Sequence, residues 1–401
     1  MDARMLYNGE FMKKIVLTAA LLPLFVWAQE SSYTAYSSSF NQSAFIPDIA
    51  LIVDTTYTNR NIKDNQQENL SLLGTEYPEY VEFNTNNGFN LNYAELSLHS
   101  DVDQVFELDG VFHFNTEGVE IEEAYFTTRA LPWHLRLKGG KFKSDFGRHN
   151  HQHQHAWDFA DAPLVYTTFL SPEGLNNAGL QLQWLAPTPW YMMAGVELMQ
   201  SGNGASFSNE SFDNVEAARA PALTVGYLKN SFDIDDTTIL FGVSAATGDF
   251  KSEEKAVDAR TKLYGADLLV KSYFNSYSYL GWQSELLYRD MSGSDVAADS
   301  DFAIKQAGAY SQLVYAYNRN WRAGVRYDTI FKNEIDGDKQ SDNLDKYTLM
   351  AEYNPSEFSR LRAQYSHSSA FEDATTGNIQ DINEFILELN IAIGSHGAHA
   401  F

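Results

Sequence analysis

Residues 384–394 read EFILELNIAIG, and this stretch decides the fold class. Its apolar side chains occupy every second position, at Phe385, Leu387, Leu389, Ile391 and Ile393, while Glu384, Glu388 and Asn390 fall on the other side. Successive side chains of a β-strand point to opposite faces, so this strand would have one apolar and one polar face. Strands of membrane barrels show this pattern because one face meets lipid and the other meets a polar lumen.

The same alternation recurs at residues 280–289, 321–331 and 347–353. In the second of these, Trp321, Val325 and Phe331 lie in phase with one another and out of phase with Arg322, Arg326 and Asp328. A soluble β-sandwich also alternates, but it rarely points so many arginine and glutamate residues inward between large aromatic residues. The pattern therefore favours a membrane barrel.

Sixteen segments of this kind follow one another along the chain. Their predicted first residues are Ile49, Phe89, Gln104, Val119, His134, Ala178, Trp190, Ala222, Thr237, Thr261, Ser278, Phe302, Trp321, Asp345, Ser359 and Asn383. Long polar connections, predicted at about 60–88, 147–177, 200–221, 248–260, 290–301, 333–344 and 369–382, alternate mainly with short ones. We therefore predict an all-β, transmembrane antiparallel barrel of about sixteen strands (14–18), with short periplasmic turns and long external loops.

The first residues resemble an export signal. Met12, Lys13 and Lys14 precede an apolar run over residues 15–27, and the small residue Ala28 follows it. A basic start, an apolar core of about 7–15 residues and a small residue at the cleavage site are typical of a secretory signal. We predict an N-terminal extension and signal peptide at 1–28, cleaved near Ala28, then a lead-in at 29–44 and the barrel at 45–401. The expected location is the outer membrane of a Gram-negative cell.

The composition excludes several classes of protein. The net charge of −25 at pH 7 argues against nucleic acid as a partner, and the absence of cysteine excludes a disulfide-held scaffold. No nucleophile motif such as Gly-x-Ser-x-Gly stands out, so we do not expect an enzyme. We expect no required cofactor.

Residues 119–143 carry a resemblance to a known family. The stretches VEIEEAYF (119–126) and LRLKGGKFK (135–143) resemble the porin superfamily that includes the phosphate-selective O/P porins. The blocks at 145–157 and 185–191, with the ending GSHGAH (394–399), are similar to outer-membrane proteins often labelled zinc-regulated. The resemblance covers residues 95–195. It implies a porin for passive diffusion of small solutes or ions, a homotrimer in outer-membrane lipid and lipopolysaccharide, and a link to zinc supply.

Five cations follow the fifth predicted strand and the start of the next loop: Arg136, Lys138, Lys141, Lys143 and Arg148. A row of cations on one wall of a pore orients passing solutes, so we predict that these residues line the lumen and favour anions, phosphate-like ones included. The alternative is that Lys141 and Lys143 contact lipid headgroups. The apolar phase changes across Gly139 and Gly140, which predicts a β-bulge there.

Residues 149–155 read HNHQHQH, with His149, His151, His153 and His155 at alternate positions. In an extended segment these four would share one face, and in a helix they would form two pairs four residues apart. With Asp158 they form a predicted site for zinc or another divalent metal. By the porin resemblance, the loop that contains them folds into the lumen and forms the constriction.

Three interpretations of this histidine tract stay open. The first is capture or passage of a divalent metal, the second is gating by a change of imidazole charge with pH, and the third is a polar loop. For the whole chain, the alternatives to a metal-passing porin are an anion-selective porin and a surface metal-binding or adhesive barrel without an open pore.

Overall fold

The computed structural model describes residues 47–67, 70–72, 83–115, 118–170, 174–202, 204–212, 214–340, 343–373 and 378–394. The predicted signal peptide at 1–28, the lead-in at 29–44 and the GSHGAH ending from Ser395 onward lie outside these residues. None of the helices in the described part of the chain is both long and apolar enough to cross a bilayer.

Sixteen long antiparallel strands form one sheet that closes on itself. They are β1 (Asp48–Arg60), β2 (Gly88–Asp101), β3 (Phe106–Phe114), β4 (Val119–Thr128), β5 (Leu135–Lys143), β6 (Asn176–Leu185), β7 (Tyr191–Met199), β8 (Leu223–Ile234), β9 (Thr237–Ser252), β10 (Val257–Tyr273), β11 (Tyr279–Asp295), β12 (Ser300–Ala316), β13 (Trp321–Ile335), β14 (Leu344–Ser356), β15 (Ser359–Asp373) and β16 (Asn378–Gly394). The first strand pairs with the last, from Ala50 opposite Gly394 to Arg60 opposite Glu384, and this pairing closes the barrel.

Short elements decorate the loops. The short strands are Leu70–Leu72, Ser208–Asn209 and Asp338–Lys339, the α-helices are Asp64–Gln67 and Leu164–Phe169, and the 3₁₀ turns are Pro132–His134, His149–His151 and Gln154–Ala156. Three of these elements, from His149 to Phe169, belong to the connection between β5 and β6.

The predicted strands are confirmed. Fourteen of the sixteen predicted starts lie within two residues of the observed ones. On β16 the expected faces are also present: Leu389 is 42% exposed on the outside, whereas Glu388 is 2% exposed on the inside. Trp133, Trp190 and Trp321 are exposed beside short connections at one end of the barrel, where an aromatic girdle is expected.

The prediction of long loops at 248–260, 290–301 and 369–382 is wrong. Strands β9 to β12, β15 and β16 continue through these segments, and the connections are residues 253–256, 296–299 and 374–377. Phe250, Val257, Met291 and Ile304 pack together inside the barrel at this end. Apolar residues face inward here and polar residues face outward, which is the reverse of the arrangement on β16. The outward polar residues give these segments the composition of loops, although the strands continue.

The predicted bulge at Gly139 and Gly140 is also wrong. The pairing of β5 with β6 is regular from Leu135 to Lys143. Gly140 is needed for another reason: its φ is +136°, and a Cβ there would lie 2.2 Å from the Ala124 carbonyl oxygen. The bulge lies in β4, where Ile121 and Glu123 pair with consecutive residues of β3 and Glu122 is the extra residue.

Candidate functional site in the loop between β5 and β6

The described part of the connection between β5 and β6, residues 144–170 and 174–175, lies inside the barrel. We call it the inner loop. Its first part is held by Glu285 of β11, whose carboxylate accepts hydrogen bonds from the Arg148 and His149 backbone N–H groups at 2.9 and 2.8 Å. The same carboxylate accepts the hydroxyl groups of Tyr166 and Tyr310 at 2.6 and 2.5 Å. A buried carboxylate with four donors is well satisfied, so this contact orders the start of the loop.

The middle of the inner loop is held by a different arc of the wall. Asp161 accepts from Arg326 of β13 at 3.1 Å, from Lys346 of β14 at 2.5 Å and from Gln364 of β15 at 2.7 Å. Although burial opposes ionisation, Arg326 and Lys346 hold the pKa of Asp161 well below its ordinary value. The loop is therefore tied to the barrel interior at β11 and again at β13 to β15.

The short helix Leu164–Phe169 explains why the loop lies inside. Five apolar or aromatic residues from it and just after it are buried: Leu164, Val165, Tyr166, Phe169 and Leu170. They pack in one cluster with wall residues, including Phe142, Leu263, Leu287 and Ile330. Burial of each such side chain is worth about 1.5–3 kcal/mol, which favours the folded-in loop over one extended into water.

The histidine tract does not form the predicted shared face. Two 3₁₀ turns, His149–His151 and Gln154–Ala156, are joined by extended backbone at Gln152 and His153. With about three residues per 3₁₀ turn, residues two apart point in different directions. The four histidines therefore separate into three environments.

His149 packs among aromatic rings. Its ring centroid lies 4.6 Å from that of Trp157 and 4.8 Å from that of Tyr166. Its Nε2 atom is buried without a hydrogen-bond partner in the described part of the chain. Burial, with Arg326 and Lys143 nearby, holds the pKa of His149 well below its ordinary value. His151 is exposed and pairs with Asp145 at 2.9 Å. His149 and His151 therefore do not share the environment of His153.

His153 and His155 meet acidic residues of β2 and β4. His153 lies between two carboxylates, with Nδ1 3.1 Å from Glu122 and Nε2 2.9 Å from Glu123. His155 Nδ1 lies 3.1 Å from Glu95. Burial lowers the pKa of His155 despite this carboxylate, whereas Glu122 and Glu123 overcome burial and raise the pKa of His153 well above its ordinary value.

Four residues of this cluster were missed by sequence reasoning: Glu95, His113, Glu122 and Glu123. Two groups of possible metal ligands, Glu95 with His153 and His155 and Glu95 with His113 and Glu122, each have their ligand atoms within 4.8 Å of one another. The bulge explains how consecutive Glu122 and Glu123 can both point inward. The sequence signal was the Glu-Glu pair, which breaks the two-residue alternation.

Asp158, predicted to join the metal site, lies elsewhere. Its carboxylate contacts Arg322 of β13 and accepts from Gln312 of β12 at 2.9 Å. Further along this wall, Arg362 donates to Glu352 and Glu388, both at 2.9 Å, and to the Trp157 carbonyl at 2.7 Å. The cations that hold the loop thus come mainly from β13 to β15, where Arg322, Arg326 and Arg362 also face carboxylates of the wall.

The five predicted pore-lining cations divide between the two sides of the wall. Lys138 is buried over the Tyr125 ring, with Nζ 4.4 Å from its centroid, and Lys143 pairs with Glu122 at 2.9 Å. Arg136 and Arg148 donate to glutamine carbonyls, of Gln183 at 2.8 Å and of Gln283 at 3.3 Å. The prediction is wrong for Lys141. In the strand register Lys141 lies opposite Ala124 and Ala178, which are exposed on the outer side of the wall, and its side chain donates to the Ile121 carbonyl.

A cavity of about 990 Å³ lies between the inner loop and the wall from β5 to β10. Arg129, Arg136, Arg148, Lys229, Asp145 and Asp267 are the charged residues that line it. Trp133 and Tyr191, beside the short connections, also line it, which indicates that it opens at that end of the barrel. The cavity is large enough for a small solute.

The fold is found in solved outer-membrane proteins. The anion-selective porin of Comamonas acidovorans has a TM-score of 0.58 at 10% identity and covers 87% of this chain and 100% of that one. The channel DcaP of Acinetobacter baumannii has a TM-score of 0.57 at 11% identity, with 88% and 99% covered. Salmonella typhi OmpF, in a complex with daunomycin, has a TM-score of 0.53 at 9% identity, with 88% and 99% covered. These similarities show a porin-like, outer-membrane β-barrel fold.

No family model matches the sequence. An uncharacterized protein of Aquifex aeolicus (strain VF5) is 42% identical over 388 residues, which cover 91% of this chain and 82% of the relative. The chain is therefore a porin-like β-barrel that belongs to the same family as this Aquifex aeolicus protein.

Proposed function

We propose that the protein is an outer-membrane channel for passive diffusion of small solutes or ions, and that the inner loop controls passage. The observation that carries this proposal is the position of the loop. It is bonded to Glu95 and Glu122 on one arc of the wall and to Glu285 and Arg326 on another. A solute that crosses the barrel must therefore pass beside it.

The cavity supports a polar solute. Arg136 and Arg148 approach it from the wall and from the loop, while Asp145 and Asp267 provide opposite charge. Charges of both signs at close range create a transverse field that orients a passing dipole or ion. The net charge of −25 does not decide the ion preference, because selectivity follows the charges that line the pore.

Planar bilayers with a salt gradient test the proposal. Purified protein is expected to give stepwise conductance. Arg148→Ala should shift the reversal potential toward cations, because it removes a cation from the cavity. Lys141→Ala is the matched control, since Lys141 lies on the outer side, and it should leave the potential unchanged. A preparation that forms no pore would overturn the proposal in favour of the surface metal-binding or adhesive barrel.

Divalent metal, zinc in particular, is the second candidate for the transported species. The observation that favours it is the meeting of His153 and His155 with Glu95, since imidazole and carboxylate are zinc ligands. The resemblance to zinc-regulated outer-membrane proteins agrees with it, and the resemblance to phosphate-selective porins supports the anion-selective alternative. Liposomes loaded with a zinc-sensitive dye separate the zinc and anion candidates. Zinc entry no faster than in dye-loaded liposomes without the protein would exclude zinc passage.

The proposed setting is the Gram-negative outer membrane, with lipid and lipopolysaccharide around the barrel. The exposed apolar side chains on the outer face of β16 support a lipid environment. A homotrimer, cleavage of a signal peptide near Ala28, the absence of a required cofactor and the absence of enzymatic activity stay predictions. Native mass measurement in detergent tests the trimer, and a monomer mass would exclude it.

A further inference from the structure

Two groups of possible metal ligands share Glu95, which lies with the loop residues His153 and His155 in one group and with the wall residues His113 and Glu122 in the other. One oxygen of Glu95 is approached by three imidazoles. Its Oε2 lies 3.1 Å from His155 Nδ1, 3.3 Å from His113 Nε2 and 3.8 Å from His153 Nδ1. Zinc ligands at about 2.0–2.1 Å in a tetrahedron lie roughly 3.3 Å from one another, so the distances from Glu95 to His155 and His153 fit ligands around one ion.

Three carboxylates are buried in and beside these two groups. Glu95, Glu122 and Glu123 are all buried, with exposed fractions of 2%, 5% and 6%. The permanent cation in direct contact with them, among the ion pairs of the described residues, is Lys143. Buried carboxylates favour bound cations, and a divalent cation beside Glu95 would add its positive charge to that of Lys143.

A carboxylate behind the cluster matches the way that proteins orient metal ligands. His153 directs Nδ1 toward Glu95 and Glu122, while its Nε2 contacts Glu123 at 2.9 Å. A ligating histidine almost always bonds a carboxylate or carbonyl through its second nitrogen, which fixes the tautomer and the ring orientation. Glu123 would have this orienting role.

We propose that Glu95, His153 and His155 hold one divalent transition-metal ion, with His113 and Glu122 beside it, and that this ion ties the inner loop to the wall and so regulates passage. Imidazole with carboxylate favours zinc, cobalt or nickel over calcium and magnesium, which prefer oxygen ligands alone. His153 and His155 belong to the loop, and Glu95 belongs to β2. The regulatory part rests on the proposed channel function, whereas metal binding does not.

Binding is tested with Co²⁺ and Zn²⁺ on the purified full-length protein in detergent. Co²⁺ is expected to bind at one equivalent per chain with visible absorption of a low-coordinate nitrogen–oxygen site, and Zn²⁺ should displace it. Glu95→Gln and His155→Asn should each weaken binding at least about tenfold. His151→Asn is the matched control from the same tract, because His151 pairs with Asp145 instead, and its metal affinity should equal that of the wild type.

Heat-modifiable migration in gels identifies variants that fail to fold, and His153→Asn then replaces any variant that is lost. Absence of stoichiometric binding, or equal affinity in all variants, overturns the site. Saturating Zn²⁺ should change the conductance of the wild type but not of Glu95→Gln. Metal binding without a change in conductance overturns the regulatory role and leaves the site. If neither the wild type nor any variant conducts, the proposed channel function is overturned. The Co²⁺ spectrum then still decides whether the metal site exists.

Discussion

Histidines of one short tract have opposite environments. His149 lies among Trp157, Tyr166 and Tyr310, whereas His153, four residues later, lies between Glu122 and Glu123. Burial without a carboxylate keeps the first imidazole neutral, and two carboxylates favour the charged form of the second. The tract is therefore not a uniform pH sensor or a uniform metal ligand.

At the residue scale, His149 predicts a loss of stability in acid. Its pKa is lowered in the folded state, so below about pH 6.5 the unfolded chain gains a proton that the folded chain does not. This group alone should lower the free energy of unfolding by up to about 1.4 kcal/mol per pH unit below that point. His149→Phe removes the effect.

Denaturant unfolding in detergent at pH 7.5 and 5.5 measures this difference. The wild type should lose more stability between the two pH values than His149→Phe does. His134→Gln, at an exposed position beside a short connection, serves as the control and should behave like the wild type. An equal pH dependence in His149→Phe and the wild type would contradict the prediction.

At the scale of elements, the inner loop is held by side chains far away in sequence. Glu95 and His155 are 60 residues apart, and Arg360 donates to the His155 carbonyl across 205 residues. Asp161 is the anchor with contacts to three strands. Loop and wall therefore act as one packed unit inside the barrel.

Asp161→Asn is expected to release this anchor. The substitution keeps the shape but removes the charge that faces Arg326 and Lys346. Breaking a buried ion pair costs about 3–5 kcal/mol, and here the cost should fall on the loop rather than on the barrel. Hydrogen exchange of loop amides should become at least about tenfold faster, while exchange in β9 to β12 stays unchanged.

The matched control for this change is Asp258→Asn. Asp258 pairs with Lys251 near a hairpin end, and its side chain is 41% exposed. An exposed pair of this kind contributes about 0–1 kcal/mol, so exchange in the inner loop should not change. Slow exchange of the loop amides in Asp161→Asn would show that the apolar helix Leu164–Phe169 holds the loop without this anchor.

At the scale of the whole molecule, the outer surface is an apolar band that water would not solvate. Leu389 lies within this band, on the outer face of β16. Leu389→Arg should reduce the free energy of folding into vesicles by about 2–4 kcal/mol, the cost of arginine at the bilayer midplane. Reversible unfolding in guanidinium, monitored by tryptophan fluorescence, measures the change.

Ala298→Arg is the control at this scale. Ala298 is exposed in the turn at 296–299, beyond the apolar band, and arginine there should cost about 0–1 kcal/mol. Equal costs for the two substitutions would show that Leu389 does not face the hydrocarbon of the bilayer.

The sequence by itself determined the strands, their number and the side of the wall on which most residues lie. These properties are local, because alternation over a few residues distinguishes the lipid face from the lumen face. Prediction from the sequence failed in two places where the alternation no longer separates a lipid face from a lumen face. One is the end of strands β9 to β12, where apolar residues point inward. The other is the bulge in β4, where Glu122 and Glu123 both point inward.

Only the tertiary structure decided which inward residues meet. His153 and His155 reach Glu122 and Glu95 because the short helix Leu164–Phe169 is buried inside the barrel and carries the loop across the lumen. Asp158 faces Arg322 for the same reason. Such contacts join residues separated by dozens to hundreds of positions, and no local periodicity encodes them, because they depend on how the closed barrel brings distant strands around one loop.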